Sequence, residues 1–146
     1  MAKRISMKSI HAKKFLNEPI EYHKSFSRGI SLDCGNMFLI FISGTASVNA
    51  QGKTHAVGDF SAQVQRTFDN ITALLKSENV SWHNVIKTNC YLKNMRQYAR
   101  FNEYRNYFYK KLKLNPFPAS TCIAAELCRK ELLVEIDVIA AKKKNK

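Results

Sequence analysis

The stretch Leu132-Leu133-Val134-Glu135-Ile136-Asp137-Val138-Ile139-Ala140-Ala141 decides how the chain is read. Val134, Ile136, Val138 and Ala140 form one wholly apolar face, and Leu133, Glu135, Asp137 and Ile139 form the other. Alternation of this kind marks a strand, and here it sends two carboxylates out of one face. Working outward, Ala119 to Ala125 and Asn84 to Leu92 read as strands, and residues 22–33 as an extended or strand segment. Asn36 to Ser43 is near-continuously apolar, as in a strand buried on both faces. Gly44 is expected to break it, with Thr45 to Asn49 resuming as a second short strand and Gln51-Gly52 as a hairpin turn. Gly58-Asp59 opens a helix with Asp59 as its N-cap. There Phe60, Val64, Phe68, Ile71 and Leu75 share a face, with Gln63, Arg66, Asp69 and Asn70 toward the other. A second helix runs from about Met95 to Leu112, before Pro116 and Pro118. The order strands, helix, strand, helix, two strands predicts an α+β domain with one mixed sheet and both helices on one face.

A chain of 146 residues with 45% apolar and 11% aromatic content fills one core, which excludes a disordered protein. No apolar run is long enough to span a membrane, and no charged region leads into a long apolar one, so residence in the cytoplasm is expected. The cysteines at 34, 90, 122 and 128 form no C-x-x-C pair and the histidines are scattered, so neither a zinc site nor disulfides are expected. The net charge of +13 is uneven. Residues 1–14 and 142–146 carry nine of the 24 bases and no acid, and residues 15–141 carry the other 15 bases with all 11 acids. The chain thus divides into a basic N-terminal tail (1–14), a mildly basic body (15–141) and a basic C-terminal tail (142–146). The tails serve solubility or hold RNA weakly through its phosphates. The aromatic cluster of the second helix, beside Arg100, Arg105, Lys110 and Lys111, is either a base-stacking surface or core. The 3-4-4 spacing of Phe101, Tyr104, Phe108 and Leu112 favours core.

Two helices cover only one sheet face, so the Glu135 face must meet solvent or another subunit. At a subunit seam Glu135 loses water and its pKa rises, as a general acid working near neutrality requires; the alternative is a carboxylate that only pairs with a base across the seam. Cys122, Cys128 and Arg129 lie just upstream. Arg129 is either a forked clamp for a substrate carboxylate or a surface arginine, and Cys128 either reactive or a small packing residue. The backbone N–H groups at Ser43-Gly44-Thr45 offer an oxyanion site.

The set Ile42-Ser43-Gly44-Thr45-Ala46, Gln63 to Leu75, Val85-Ile86-Lys87-Thr88, Phe101-Asn102-Glu103-Tyr104 with Phe108, Pro118-Ala119 and Val134 to Ala140 resembles the YjgF/Rid family, the reactive intermediate deaminases once labelled endoribonuclease L-PSP. It covers roughly residues 22–141, in order. The resemblance implies a chorismate mutase-like α+β fold and a homotrimer whose sheets close into a barrel, with a small-molecule cleft at each seam. It implies hydrolysis of 2-imino or enamine acids to 2-keto acids and ammonia, without metal or organic cofactor. Ser43, Gly44, Asn102, Cys122 and Glu135 match family site positions. Two positions depart: Ser120 stands where the family's Pro-Ala-Arg-Ser-Cys motif has its carboxylate-clamping arginine, and Phe26 where it has a site tyrosine.

Phe26-Ser27-Arg28 and Leu127 to Glu135 (LCRKELLVE) are similar to the Rid-related half of chorismatases, which hydrolyse an enolpyruvyl ether; there the positions of Cys128 and Glu135 belong to the active site. A single mechanism serves both relatives. Protonated Glu135 delivers its proton to an electron-rich alkene, water attacks the resulting cation, Arg129 holds the substrate carboxylate, and Ser43 with the Gly44 N–H positions water or substrate. The expectation is a hydrolase or deaminase of an enamine, imine or enol-ether carboxylate. Its alternatives are a non-catalytic carboxylate binder or regulator, and an RNA-binding or ribonuclease protein.

Overall fold

The computed structural model describes residues 5–145. Six strands form one sheet in the order β1-β2-β3-β6-β4-β5: β1 (Met7–Ser9), β2 (Gly29–Asp33), β3 (Met37–Ala46), β4 (Val85–Leu92), β5 (Ala119–Ala124) and β6 (Val134–Lys143). All neighbours are antiparallel except β4 and β5. Helices α1 (Phe60–Ser77) and α2 (Tyr98–Lys111) connect β3 to β4 and β4 to β5. The expected mixed sheet with two helices on one face is what the chain builds. Among the described residues no helix is long and apolar enough to cross a membrane.

Asp59 caps α1 by accepting the Ala62 N–H at 3.0 Å, which satisfies one orphan donor of the first turn. The apolar face of α1 meets Ile40 and Ile42 of β3 and Val134, Ile136, Val138 and Ala140 of β6, all within the buried core. Phe68 sits at its centre, with its ring 5.2 Å from Trp82 and 4.9 Å from Phe108. Burial of such rings is the main stabilising term here. The aromatic residues of α2 join this cluster through Phe101, Tyr104, Phe108 and Tyr109, so they are core rather than a stacking surface.

Several expectations are corrected. Gly44 does not end its strand: β3 runs through it to Ala46, and the register shifts between Ile42 and Thr45 in a bulge against β6. Nor is that strand buried on both faces, since Phe41 is 40% exposed within the chain. Gln63 and Asn70 do not face outward. Both are fully buried, because each answers backbone groups that the loops leave unpaired. Gln63 donates to the carbonyls of Ala56 and Glu131 and accepts the Leu133 N–H, while Asn70 donates to the carbonyls of Ala46 and Val48.

The stretches read as solvated tails are partly built into the body. Met7–Ser9 pairs with β2, and Ile10 is wholly buried. At the other end β6 continues to Lys143, and Lys144 pairs with Asp33. Lys3, Arg4 and Lys146 lie outside the described residues.

Candidate functional site at the open sheet face and the β5 edge

Side chains of β6 divide the site. Glu135 and Asp137 project from the face opposite the helices, in register with Tyr91 and Asn89 of β4. Asp137 is fully engaged: it accepts from Asn89 Nδ2 at 2.8 Å and from Tyr91 Oη at 2.8 Å. That bond, with burial, favours the protonated phenol and pushes Tyr91 up to about 12. Glu135 has no such partner. Its carboxylate lies over the backbone of Gly44, where a side-chain Cβ would come within 2.2 Å of Oε1. The bulge and the glycine together make room for it. Burial raises the Glu135 pKa, the charge of Asp137 raises it further, and no nearby base lowers it. Two carboxylates two residues apart are thus given unequal surroundings, which is how acid and acceptor roles are separated.

Ser43 is beside this carboxylate in the chain's bulge, but its hydroxyl donates to the Ser27 carbonyl at 2.6 Å, which ties β3 to the segment before β2. The Ser43 N–H bonds the Arg28 carbonyl.

Asn102, Ser120 and Cys122 form a second group, on the helix side of the sheet. Ser120 and Cys122 pair in register with Thr88 and Cys90, both buried beneath the helices. They meet α2 at Arg105, a residue the sequence reading did not single out for chemistry. Arg105 donates through Nη1 to Ser120 Oγ at 2.9 Å and through Nη2 to Asn102 Oδ1 at 2.6 Å. Its guanidinium carbon lies 5.3 Å from the centre of the Phe101 ring. Burial raises the Cys122 thiol, with Arg105 opposing, so Cys122 is a packed thiol rather than a thiolate nucleophile. Helical spacing puts Arg105 one turn beyond Phe101 and Asn102, but its meeting with Ser120 of another element has no local sequence signal.

Phe26 and Arg129 form a third group around Tyr22. Arg129 Nη1 donates to the Gly52 carbonyl at 2.7 Å, and its guanidinium is 5.8 Å from the Tyr22 ring centre. Arg28 lies 5.7 Å from the same ring and 5.8 Å from that of Phe26. Arg28 is buried and held by the Asn17 carbonyl through two donors at 2.9 Å and 2.8 Å. Burial lowers its pKa first, and neighbouring Arg129 adds to that. Cys128 sits exposed in the loop between β5 and β6. Among the described residues no group of three or more His, Cys, Asp or Glu side chains is arranged to hold a metal ion.

One chain therefore brings Glu135 to Gly44, and Asn102, Ser120 and Cys122 to Arg105, but the sheet separates the first group from the second. Next to Glu135 the open face is polar, with Asp137, Asn89 and Tyr91, and farther along toward β3 and β2 it becomes apolar. Ile30, Phe41 and Ile139 stand in one cross-strand row, and Leu32, Leu39 and Ala141 in the next.

Residues 17–142 match the family described as endoribonuclease L-PSP. A RutC family protein of Pasteurella multocida is 31% identical over 113 residues, which span 77% of this chain and 84% of that protein. The 2-iminobutanoate/2-iminopropanoate deaminase of Escherichia coli K12 is 29% identical over 113 residues, with the same two coverages of 77% and 84%. Among solved structures, the YjgF gene product of E. coli superposes with a TM-score of 0.76 at 25% identity, covering 93% of this chain and 99% of that one. E. coli TdcF with bound serine shares the fold, with a TM-score of 0.77 at 23% identity over 93% of this chain and 99% of that one. A family match over nearly the whole body, joined to this topology and these relatives, means that the chain belongs to the endoribonuclease L-PSP, or YjgF/Rid, family.

Proposed function

We propose that the protein is a small-molecule hydrolase of the deaminase type, acting on an enamine, imine or enol-ether carboxylate in a cleft formed between copies of the chain. The observation that carries this reading is Glu135: a half-buried carboxylate, seated on a glycine, raised in pKa and given no partner by the fold. A structural carboxylate in that position would be paired, as Asp137 is.

The apolar open face supports assembly, since rows of such residues on a sheet need a cover. A homotrimer whose three sheets face inward would supply it and would bring the β5 edge of one copy toward Glu135 of the next. In that cleft, Glu135 gives its proton to the terminal carbon of the enamine, leaving an iminium ion. Water adds to the cationic carbon, and the adduct expels ammonia to leave a 2-keto acid. With an enol ether the same proton transfer yields an oxocarbenium ion, to which water adds to give a hemiketal that expels the alcohol and leaves the 2-keto acid; in both cases the added water gives up a proton that returns to Glu135. The Gly44 N–H positions water or substrate, Ser43 is left only its hydroxyl oxygen as an acceptor because both its donors are bonded to the Ser27 and Arg28 carbonyls, Phe26 lines the cleft in place of a tyrosine, and neither metal nor organic cofactor takes part. Four free cysteines suit a reducing cytoplasm.

The substitution Ser120 for the family's arginine favours a second reading, a carboxylate binder without turnover. The two are separated by generating 2-iminobutanoate in situ from threonine with a dehydratase, in the presence of semicarbazide, and following 2-oxobutanoate. The protein is expected to speed its release, and Glu135→Gln to cut that acceleration by about 100-fold or more, the usual worth of a general acid. A well-folded assembly that gives no acceleration leaves the binder.

A further inference from the structure

Among the charged side chains the mechanism does not use, Arg105 is set apart by what surrounds it. Its guanidinium is oriented on three sides: by the Phe101 ring beneath, by Asn102 Oδ1 and by Ser120 Oγ. Both hydrogen-bond partners are neutral. Among the described residues the ion pairs are Lys8 with Glu78, His11 with Glu18 and Lys144 with Asp33, and none involves Arg105. Two of the five N–H groups of a guanidinium are thus committed, leaving three for a ligand. The group also lines an open cleft of about 330 Å³ with Met95, Tyr98, Ser120 and Cys122. That volume suits an acid of a few carbons rather than a polymer.

We propose that Arg105 is the residue that holds the ligand's carboxylate, reaching from α2 to the place beside Ser120. This rests on the reading above for the chemistry but not for the binding. A fixed, unneutralised guanidinium binds a carboxylate through parallel N–H bonds at little orienting cost. Arg129 does not compete well for this role. It does not line that cleft: it is bonded to the Gly52 carbonyl and, with Arg28, flanks the Tyr22 ring, apart from Asn102, Ser120 and Cys122. Arg105 and Glu135 lie on opposite sides of one sheet, so the two would act on one molecule only across a seam, with the carboxylate held by one copy and the proton delivered by the other.

The test is a titration of the assembled protein with 2-oxobutanoate followed by NMR, with 2-butanone as the probe that lacks the carboxylate. The native chain is expected to bind 2-oxobutanoate saturably and 2-butanone far more weakly. Arg105→Gln should raise Kd about tenfold or more, and Arg105→Lys should recover part of it, because a charge-assisted contact is lost in the first and kept as a point charge in the second. Arg129→Ala should leave Kd within about twofold, and thermal unfolding of each variant reports whether it is folded. A Kd unchanged in a folded Arg105→Gln protein, a loss in Arg129→Ala instead, or no saturable binding by the native chain each overturns the proposal. Turnover of 2-iminobutanoate judges the other reading separately: turnover with KM untouched by Arg105→Gln sinks the clamp alone, and binding lost in Arg105→Gln without any turnover sinks the deaminase alone.

Discussion

The two faces of β6 differ in what closes them. Toward the helices Val134, Ile136, Val138 and Ala140 are at most 1% exposed, packed by residues of the same chain. Toward the open side Glu135, Asp137 and Ile139 are only half-buried, and the neighbouring Phe41 is 40% exposed. The first face is complete in one copy and is where stability resides. The second is incomplete in one copy, and the proposed chemistry is placed there because a carboxylate can be dried by assembly without being locked by a partner.

The largest expected effect breaks the finished side. Phe68→Ala removes the ring that Trp82, Phe101, Tyr104, Phe108 and Tyr109 all pack against. It should cost about 3–5 kcal/mol in chemical denaturation, with a lowered midpoint. A smaller cost, below about 1 kcal/mol, would mean that the cluster collapses around the gap and that the covered face is less tightly specified than it looks.

The matching change on the unfinished side is Ile139→Lys. It places a cation in the row that Ile30 and Phe41 begin, at a position no helix covers. Helix and strand content by circular dichroism should be kept, and the cost to the single chain should stay within about 1 kcal/mol. The mass measured by light scattering should fall from that of the proposed trimer to that of a monomer. A trimer that survives the lysine would show that this row is not the surface the copies share.

How far the sequence revealed this division is itself instructive. Alternation in Val134 to Ala140 showed both faces of β6, and the one-face spacing of Phe60, Val64, Phe68, Ile71 and Leu75 showed the core stripe of α1, because each signal repeats several times. Gly44 was misread as a break. A bulge and a strand end use the same residue, and only the partner strand tells them apart. Gln63 and Asn70 were read as outward because they are polar, yet they border the apolar stripe, where loop carbonyls needed donors. Glu135 was legible, since a carboxylate on a sheet face is conspicuous. Arg105 was not. Its meaning comes from contact with Ser120, fifteen positions away and on another element, and no local pattern encodes that meeting.

The subtlest test of the comparison is the pH dependence of stability, because it asks whether Glu135 is an unpaired carboxylate or a paired one. Burial, then the charge of Asp137, holds its pKa above the ordinary carboxyl value. Between the ordinary value and the raised one, the folded chain keeps a proton that the unfolded chain releases. Stability therefore falls as pH rises through that window and is flat, for this group, on either side of it. Glu135→Gln removes the dependence. The variant should match the native chain at the acid end and become the more stable of the two as pH climbs from about 4 toward about 8, measured by urea unfolding at fixed protein concentration. An advantage that instead appears on the acid side would mean that ionised Glu135 stabilises the fold, as a paired carboxylate does. The open face would then be finished by a salt bridge across the seam, and the proton that the proposed reaction needs would have to come from elsewhere.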